Sequence, residues 1–106
     1  MTRLDLRPNC ELCNKDLPPQ SNVARICTYE CTYCAKCAED VLHNVYINCG
    51  GNLTPRPIRP VKSWRPEAKL GLINHPASEK RVNTPFSRDE IAAFVARLND
   101  VPARER

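Results

Sequence analysis

Seven cysteines fall within residues 1–49, and four of them lie in the stretch CTYECTYCAKC at 27–37. Written as spacings, the run is Cys10-x2-Cys13-x13-Cys27-x3-Cys31-x2-Cys34-x2-Cys37-x11-Cys49. A CxxC turn brings two sulfurs to one side, where both reach a single ion at about the 2.3 Å of a Zn–S bond. Cys10/Cys13 and Cys34/Cys37 are such pairs, and several cysteine pairs together point to metal rather than to chance or to a redox couple. The count is odd, so a fully disulfide-bonded chain would leave one thiol over.

Seven sulfurs exceed the four ligands of one tetrahedral site and fall one short of two sites. Cys31 precedes Cys34 by only three residues, a segment too short to serve widely separated sites taken in sequential order. Interleaving removes the difficulty: Cys10, Cys13, Cys34 and Cys37 take one zinc ion, and Cys27, Cys31 and Cys49 contribute to a second. That is the cross-brace order of RING-type fingers.

The elements that must position these sulfurs are short. The chain has 106 residues, six of them aromatic and ten proline, which gives it room for one small module with an appended tail but little material for a core. Chains of this kind need a covalent or metal staple. Tight turns are expected at NCELCNKDLPP and NCGGN, a short strand in ARICTYE and a short helix over 35–45. The fold class predicted is a small, metal-stabilised α+β protein with a cross-brace zinc module at 1–54.

Residues 55–66, PRPIRPVKSWRP, hold four prolines and four Arg or Lys residues, so they run extended as an arm leaving the module. The basic, irregular segment 55–86 has one possible short helix at 67–73. In the last unit, 87–106, Ser87 and Glu90 form a capping box, and Ile91, Phe94, Val95 and Leu98 fall at i, i+3, i+4 and i+7. A helix of that length is marginal in water, so its stripe must dock: on the module of the same chain, or on another protein or a second copy through 88–99.

The stretches LDLRPNCELC, ARICTYECTYCAKCAEDVL, NCGG and RPIRP closely resemble the short bacterial proteins grouped as domain of unknown function 1272, small cysteine-rich proteins of RING-like or zinc-ribbon-like character. The resemblance covers roughly residues 4–60 and continues weakly through NHPASEKRV at 74–82. It implies zinc but no activity. Where that family reads cysteine-Pro-Asn-cysteine-Gly-Gly, this chain has Tyr46-Ile47-Asn48-Cys49-Gly50-Gly51, so the first cysteine of the last pair is gone. A phenol with a pKa near 10 is a poor zinc ligand. His43, three residues earlier, can supply the eighth ligand if a helical turn carries it to the same vertex; alternatively it is a helix-surface histidine. His75 lies outside the module and reads as structural.

Function follows from what a closed site can do. Four cysteinates leave no open position for water or substrate, which catalytic zinc requires. No Ser/His/Asp grouping, Gly-rich phosphate loop or HExxH pattern occurs, and the chain has only two histidines. The expectation is therefore a non-enzymatic, structural zinc protein with two ions, serving as an interaction or adaptor module. An open vertex in the second site is the one route to catalysis. Iron–sulfur electron transfer is an alternative, because Cys31-x2-Cys34-x2-Cys37 repeats the opening of a ferredoxin motif; position 41 is Val, and the motif does not continue. Thiol–disulfide exchange at Cys10/Cys13 or Cys34/Cys37 is a lesser one.

Charge suggests a further alternative. The formal net charge is +4, and the excess lies at 50–86, with seven Lys or Arg against two Asp or Glu. Arg56, Arg59, Lys62, Trp64, Arg65 and Lys69 form a basic stripe with one aromatic, able in principle to contact nucleic-acid phosphates and stack a base. No apolar run approaches the roughly 20 residues of a membrane span, and the charged start MTRLDLRPNC has no secretory character. The expected setting is the cytoplasm, where thiols stay reduced.

Overall fold

A computed structural model describes residues 4–106; the first three residues, with the opening charge at Arg3, lie outside the described residues. The protein is a small α+β fold. Strands β1 (Ala24–Ile26), β2 (Thr32–Cys34) and β3 (Thr54–Pro55) make an antiparallel sheet in the order β2-β1-β3, and helix α1 (Ala35–Asp40) follows β2 directly. Helix α2 spans Arg88–Leu98. Pro66–Ala68 and Ala103–Glu105 form single 3-10 turns.

Each strand stops where the backbone must turn. β1 ends one residue before Cys27, because Thr28, Tyr29 and Glu30 form a three-residue hairpin loop. The Glu30 amide donates to the Cys27 carbonyl and the Cys27 amide to the Cys31 carbonyl, and Glu30 takes the left-handed conformation (φ 70°) that this loop requires at its third position. The helix expected over 35–45 stops at Asp40. His43 and Asn44 follow with φ of 48° and 62°, left-handed values that end a helix. The helix expected at 67–73 is only the 3-10 turn Pro66–Ala68, since Lys69 and Gly71 also turn left-handed. At Gly71 a Cβ would sit 2.7 Å from the backbone of Lys62, so the close crossing there demands glycine.

The core is shared between the cysteines and the apolar residues. Leu17, Tyr33, Leu42, Val45, Ile47 and Leu53 are buried with Cys10, Cys34 and Cys37, and Ile91 and Val95 of α2 join the same cluster. The stripe of α2 therefore docks within its own chain, with Phe86, Phe94 and Leu98 packed at its margin. The N-terminus of α2 carries the capping box: Glu90 N–H donates to Ser87 Oγ at 3.1 Å and Ser87 N–H to Glu90 Oε1 at 3.0 Å. Ser87→Ala is expected to cost about 1 kcal/mol, read as a lower urea midpoint at unchanged m-value.

Residues 55–59 do not leave the module. Arg56 is 4% exposed, and its guanidinium donates to the carbonyls of Arg7, Leu17 and Pro18 at 2.9, 3.3 and 3.0 Å. Arg59 donates to the carbonyls of His75 and Leu4. Further on, residues 78–84 run as a strap along the module. Buried Asn9 donates its side-chain amide to the Val82 carbonyl and accepts from the Val82 amide, and Arg81 pairs with Asp16. Only the middle of the segment stands clear, folded on itself by Leu72 N–H to Pro60 O and Ile73 N–H to Val61 O. The molecule accordingly measures 48 × 28 × 22 Å, with a radius of gyration of 15.0 Å against the about 13 Å of an equant chain this long.

Candidate metal centre

The first cysteine pair lies in a tight turn closed by Asn14 N–H to Cys10 O and Cys10 N–H to Lys15 O. Asn14, in the left-handed region at φ 66°, is a residue type that tolerates that conformation. Within the turn the Cys13 amide points at Cys10 Sγ, 3.5 Å away. The second pair is set by the junction of two elements. Cys34 is the last residue of β2 and the N-cap of α1, and Cys37 lies in the first turn of that helix. Sheet and helix together thus bring both sulfurs against the Cys10–Cys13 turn.

All four sulfurs lie within 4.8 Å of one another. Cys13 Sγ and Cys34 Sγ are 3.8 Å apart, which matches the edge of a tetrahedron of sulfurs about 2.3 Å from a central ion. Cys10, Cys34 and Cys37 are buried and Cys13 is exposed. Burial pushes the Cys10 and Cys37 thiols up, and at Cys37 the charge of Cys10 adds to it. Cys13 moves down: burial opposes this, but the Lys15 amide and the neighbouring thiols of Cys10, Cys37 and Cys34 outweigh it. Four such sulfurs cannot all ionise in this space unaided. A cation at their centre removes the conflict, because thiolate is the ligand form and the ion supplies the opposing charge. The donor set therefore fits a tetrahedral, sulfur-seeking metal ion.

The remaining predicted ligands do not form a second such set. Among the described residues no second set of three Cys, His, Asp or Glu ligand atoms draws together in this way. Cys27 is buried, Cys31 half-buried and Cys49 exposed. Tyr46 is buried, and its hydroxyl lies 2.5 Å from Cys31 Sγ. His43 does not share this region. With the helix ended at Asp40, it stands exposed on a left-handed turn and lines a cleft with Asp40, Arg88 and Asp89. His75 is half-buried beside Arg59, which its carbonyl accepts from.

Two residues that matter near Cys31 have no signature in the cysteine pattern. Buried Glu11 accepts from the Thr32 amide at 2.6 Å and pairs with Arg7 at 2.9 Å, and Arg7 Nη1 reaches Cys31 Sγ at 3.5 Å. Their i, i+4 spacing was the available clue. Tyr46 was visible as a substitution for cysteine, but its hydrogen bond to Cys31 was not.

A short antiparallel sheet, one helix turned directly out of it and a four-cysteine cluster define the class: a small α+β protein whose cysteines can hold a metal ion. The sequence model of the family described as "Protein of unknown function (DUF1272)" matches residues 3–59, and the chain belongs to that family. An uncharacterized protein of Rhizobium meliloti (strain 1021) is 51% identical over 82 residues, which cover 77% of this chain and 88% of that protein. No solved structure matches the chain. No helix among the described residues is long and apolar enough to cross a membrane.

Proposed function

We propose that this is a structural zinc protein, non-catalytic, whose metal-held module presents the segment 58–73 to another protein. The zinc half of the reading rests on the four-cysteine cluster: sulfur ligands in a tetrahedral set suit zinc, and four of them close the coordination sphere to substrate. It needs one ion rather than two, held by the first and third cysteine pairs.

The observation that carries the interaction half is the exposure of large apolar side chains on one folded-back segment. Ile58, Val61, Trp64, Leu70 and Ile73 are 53, 72, 75, 56 and 76% exposed. Lys62 lies over the Trp64 ring at 4.0 Å, with Arg65 and Lys69 nearby in sequence. Large apolar side chains left exposed together on one segment mark interaction sites, and Trp and Arg are the residue types that dominate binding energy. Arg56 and Arg59 are engaged with the chain's own carbonyls, which favours a protein partner over a phosphate backbone.

The test has two arms. Native mass spectrometry of the colourless protein should count one zinc ion per chain. A partner isolated with the tagged protein and then reconstituted from purified components should be released by Trp64→Ala combined with Val61→Asp, zinc content unchanged. A reconstituted complex that survives the double substitution overturns the assigned surface; a brown protein overturns the assigned metal.

A further inference from the structure

The hairpin loop between β1 and β2 has a cysteine at each end. The strands pair Ala24 with Cys34, Arg25 with Tyr33 and Ile26 with Thr32, so the next rung sets Cys27 opposite Cys31. The Cys27 amide donates to the Cys31 carbonyl at 3.1 Å. Directly opposed, hydrogen-bonded residues of antiparallel strands have Cα atoms about 5.5 Å apart, inside the range of about 4.4–6.8 Å that a disulfide spans. Neither sulfur belongs to the four-cysteine cluster.

The two sulfurs have different surroundings. Cys27 is buried and accepts from the Tyr29 amide at 3.2 Å. Cys31 is half-buried at the edge of a cleft of about 320 Å³ that it lines with Tyr29, Tyr46, Asn48 and Cys49. Two side chains converge on its sulfur, the Tyr46 hydroxyl at 2.5 Å and Arg7 Nη1 at 3.5 Å; the nearby carboxylate, Glu11, is paired with Arg7 and bonded to the Thr32 amide. Two side chains converging on Cys31, an opening beside it and a second thiol across the hairpin are the parts of a reactive pair.

We propose that Cys31 and Cys27 form a peroxide-responsive thiol pair, with Cys31 as the attacking sulfur and Cys27 as the resolving one, separate from the metal centre. The co-reactant is a hydroperoxide. The Cys31 thiolate attacks the outer oxygen; the S–O bond forms as the O–O bond breaks, and the leaving oxygen takes a proton from solvent to depart as an alcohol, or as water from hydrogen peroxide. Cys27 then attacks the Cys31 sulfenic acid, forming the S–S bond and releasing water that carries the Cys27 proton. Two thiols are oxidised and one peroxide is reduced.

The protonation pattern agrees with these roles. A hydrogen bond from Cys27 brings the Cys31 thiol down to about 6; Tyr46 and the Arg7 charge act in the same direction, while burial and Glu11 oppose them. The same interaction, then burial, pushes Cys27 up. Thiolate at the accessible sulfur and thiol at the buried one is the order the two steps require.

The test uses the full, zinc-loaded chain treated with equimolar hydrogen peroxide near neutral pH. Trypsin, cutting after Arg25 and Lys36, yields the peptide 26–36 with Cys27, Cys31 and Cys34 together. The expected product lacks two hydrogens, takes an alkylating label only on Cys34 once unfolded, and arises with zinc retained. Cys27→Ser should stop the reaction at a sulfenic acid on Cys31, captured by dimedone, and Tyr46→Phe should slow oxidation several-fold without changing zinc content. In the unmodified chain, brief iodoacetamide treatment should label Cys31 ahead of exposed Cys49. A disulfide to Cys34, zinc release preceding oxidation, a second zinc ion that blocks the reaction, an unchanged rate in Tyr46→Phe, or Cys49 labelled first each overturns the proposal.

Discussion

A strong chelator is expected to unfold the module, with loss of the ordered circular dichroism signal and of a cooperative melt, and Cys34→Ser is expected to do the same. Structural zinc contributes an apparent ~10–16 kcal/mol in finger peptides near neutral pH, as much as the whole stability of a typical domain, about 5–15 kcal/mol. Here the comparison is unfavourable to the metal-free chain, since the sheet has strands of three, three and two residues and α1 has six. None of these persists alone. Cys34 is the residue where β2 becomes α1, so losing its thiolate detaches strand and helix from the Cys10–Cys13 turn together. A melt unchanged after chelation would refute the metal reading.

Arg56→Leu is expected to cost about 3 kcal/mol without changing metal content, a fall of roughly 10 °C or more in melting temperature for a chain of this size. The guanidinium is buried, pairs with no carboxylate among the described residues, and bridges three carbonyls from two separate stretches of chain, at Arg7 and at Leu17–Pro18. Burial lowers its pKa, yet an arginine stays charged, so each carbonyl makes a charge-assisted bond that leucine cannot replace. The gain from no longer burying a cation offsets part of the loss. Arg56→Lys should recover only a fraction, because one ammonium cannot span the three acceptors. Thermal and urea melts with metal content checked decide it; a cost below about 0.5 kcal/mol, the level of an ordinary surface substitution, would contradict the bridging role.

The same arginine shows where sequence reading stopped. In PRPIRP, Arg56 and Arg59 looked like an outward basic stripe, because composition reports charge and not the partner. Their acceptors are 16 to 55 residues away in sequence, and no local pattern encodes them. By contrast the capping box and stripe of α2 depend on residues within two turns of one another, and the helix forms where those residues placed it. The CxxC spacings were legible for the same reason: each is a local element, a turn at Cys10–Cys13 and the start of α1 at Cys34–Cys37, that fixes its own two sulfurs. The expected helices over 35–45 and 67–73 failed on single left-handed residues, His43, Asn44, Lys69 and Gly71, whose backbone state is selected by tertiary contacts rather than by propensity. Because the first of these helices ends early, His43 lies on the α2 side of the molecule.

The pairing of Asn9 with Val82 has a consequence for the order of assembly. The two residues are 73 apart, and closing a flexible loop of that length costs roughly 4 kcal/mol on a (3/2)RT ln n scaling. Two hydrogen bonds from one side-chain amide yield about 2 kcal/mol, too little to close it from an unstructured chain. Asn9 directly precedes Cys10, so it takes up a fixed position only when the first cysteine turn is formed. The strap at 78–84 is therefore expected to be a late addition, laid down once the first cysteine turn has formed, and to act as a latch on a finished module rather than as part of its nucleus.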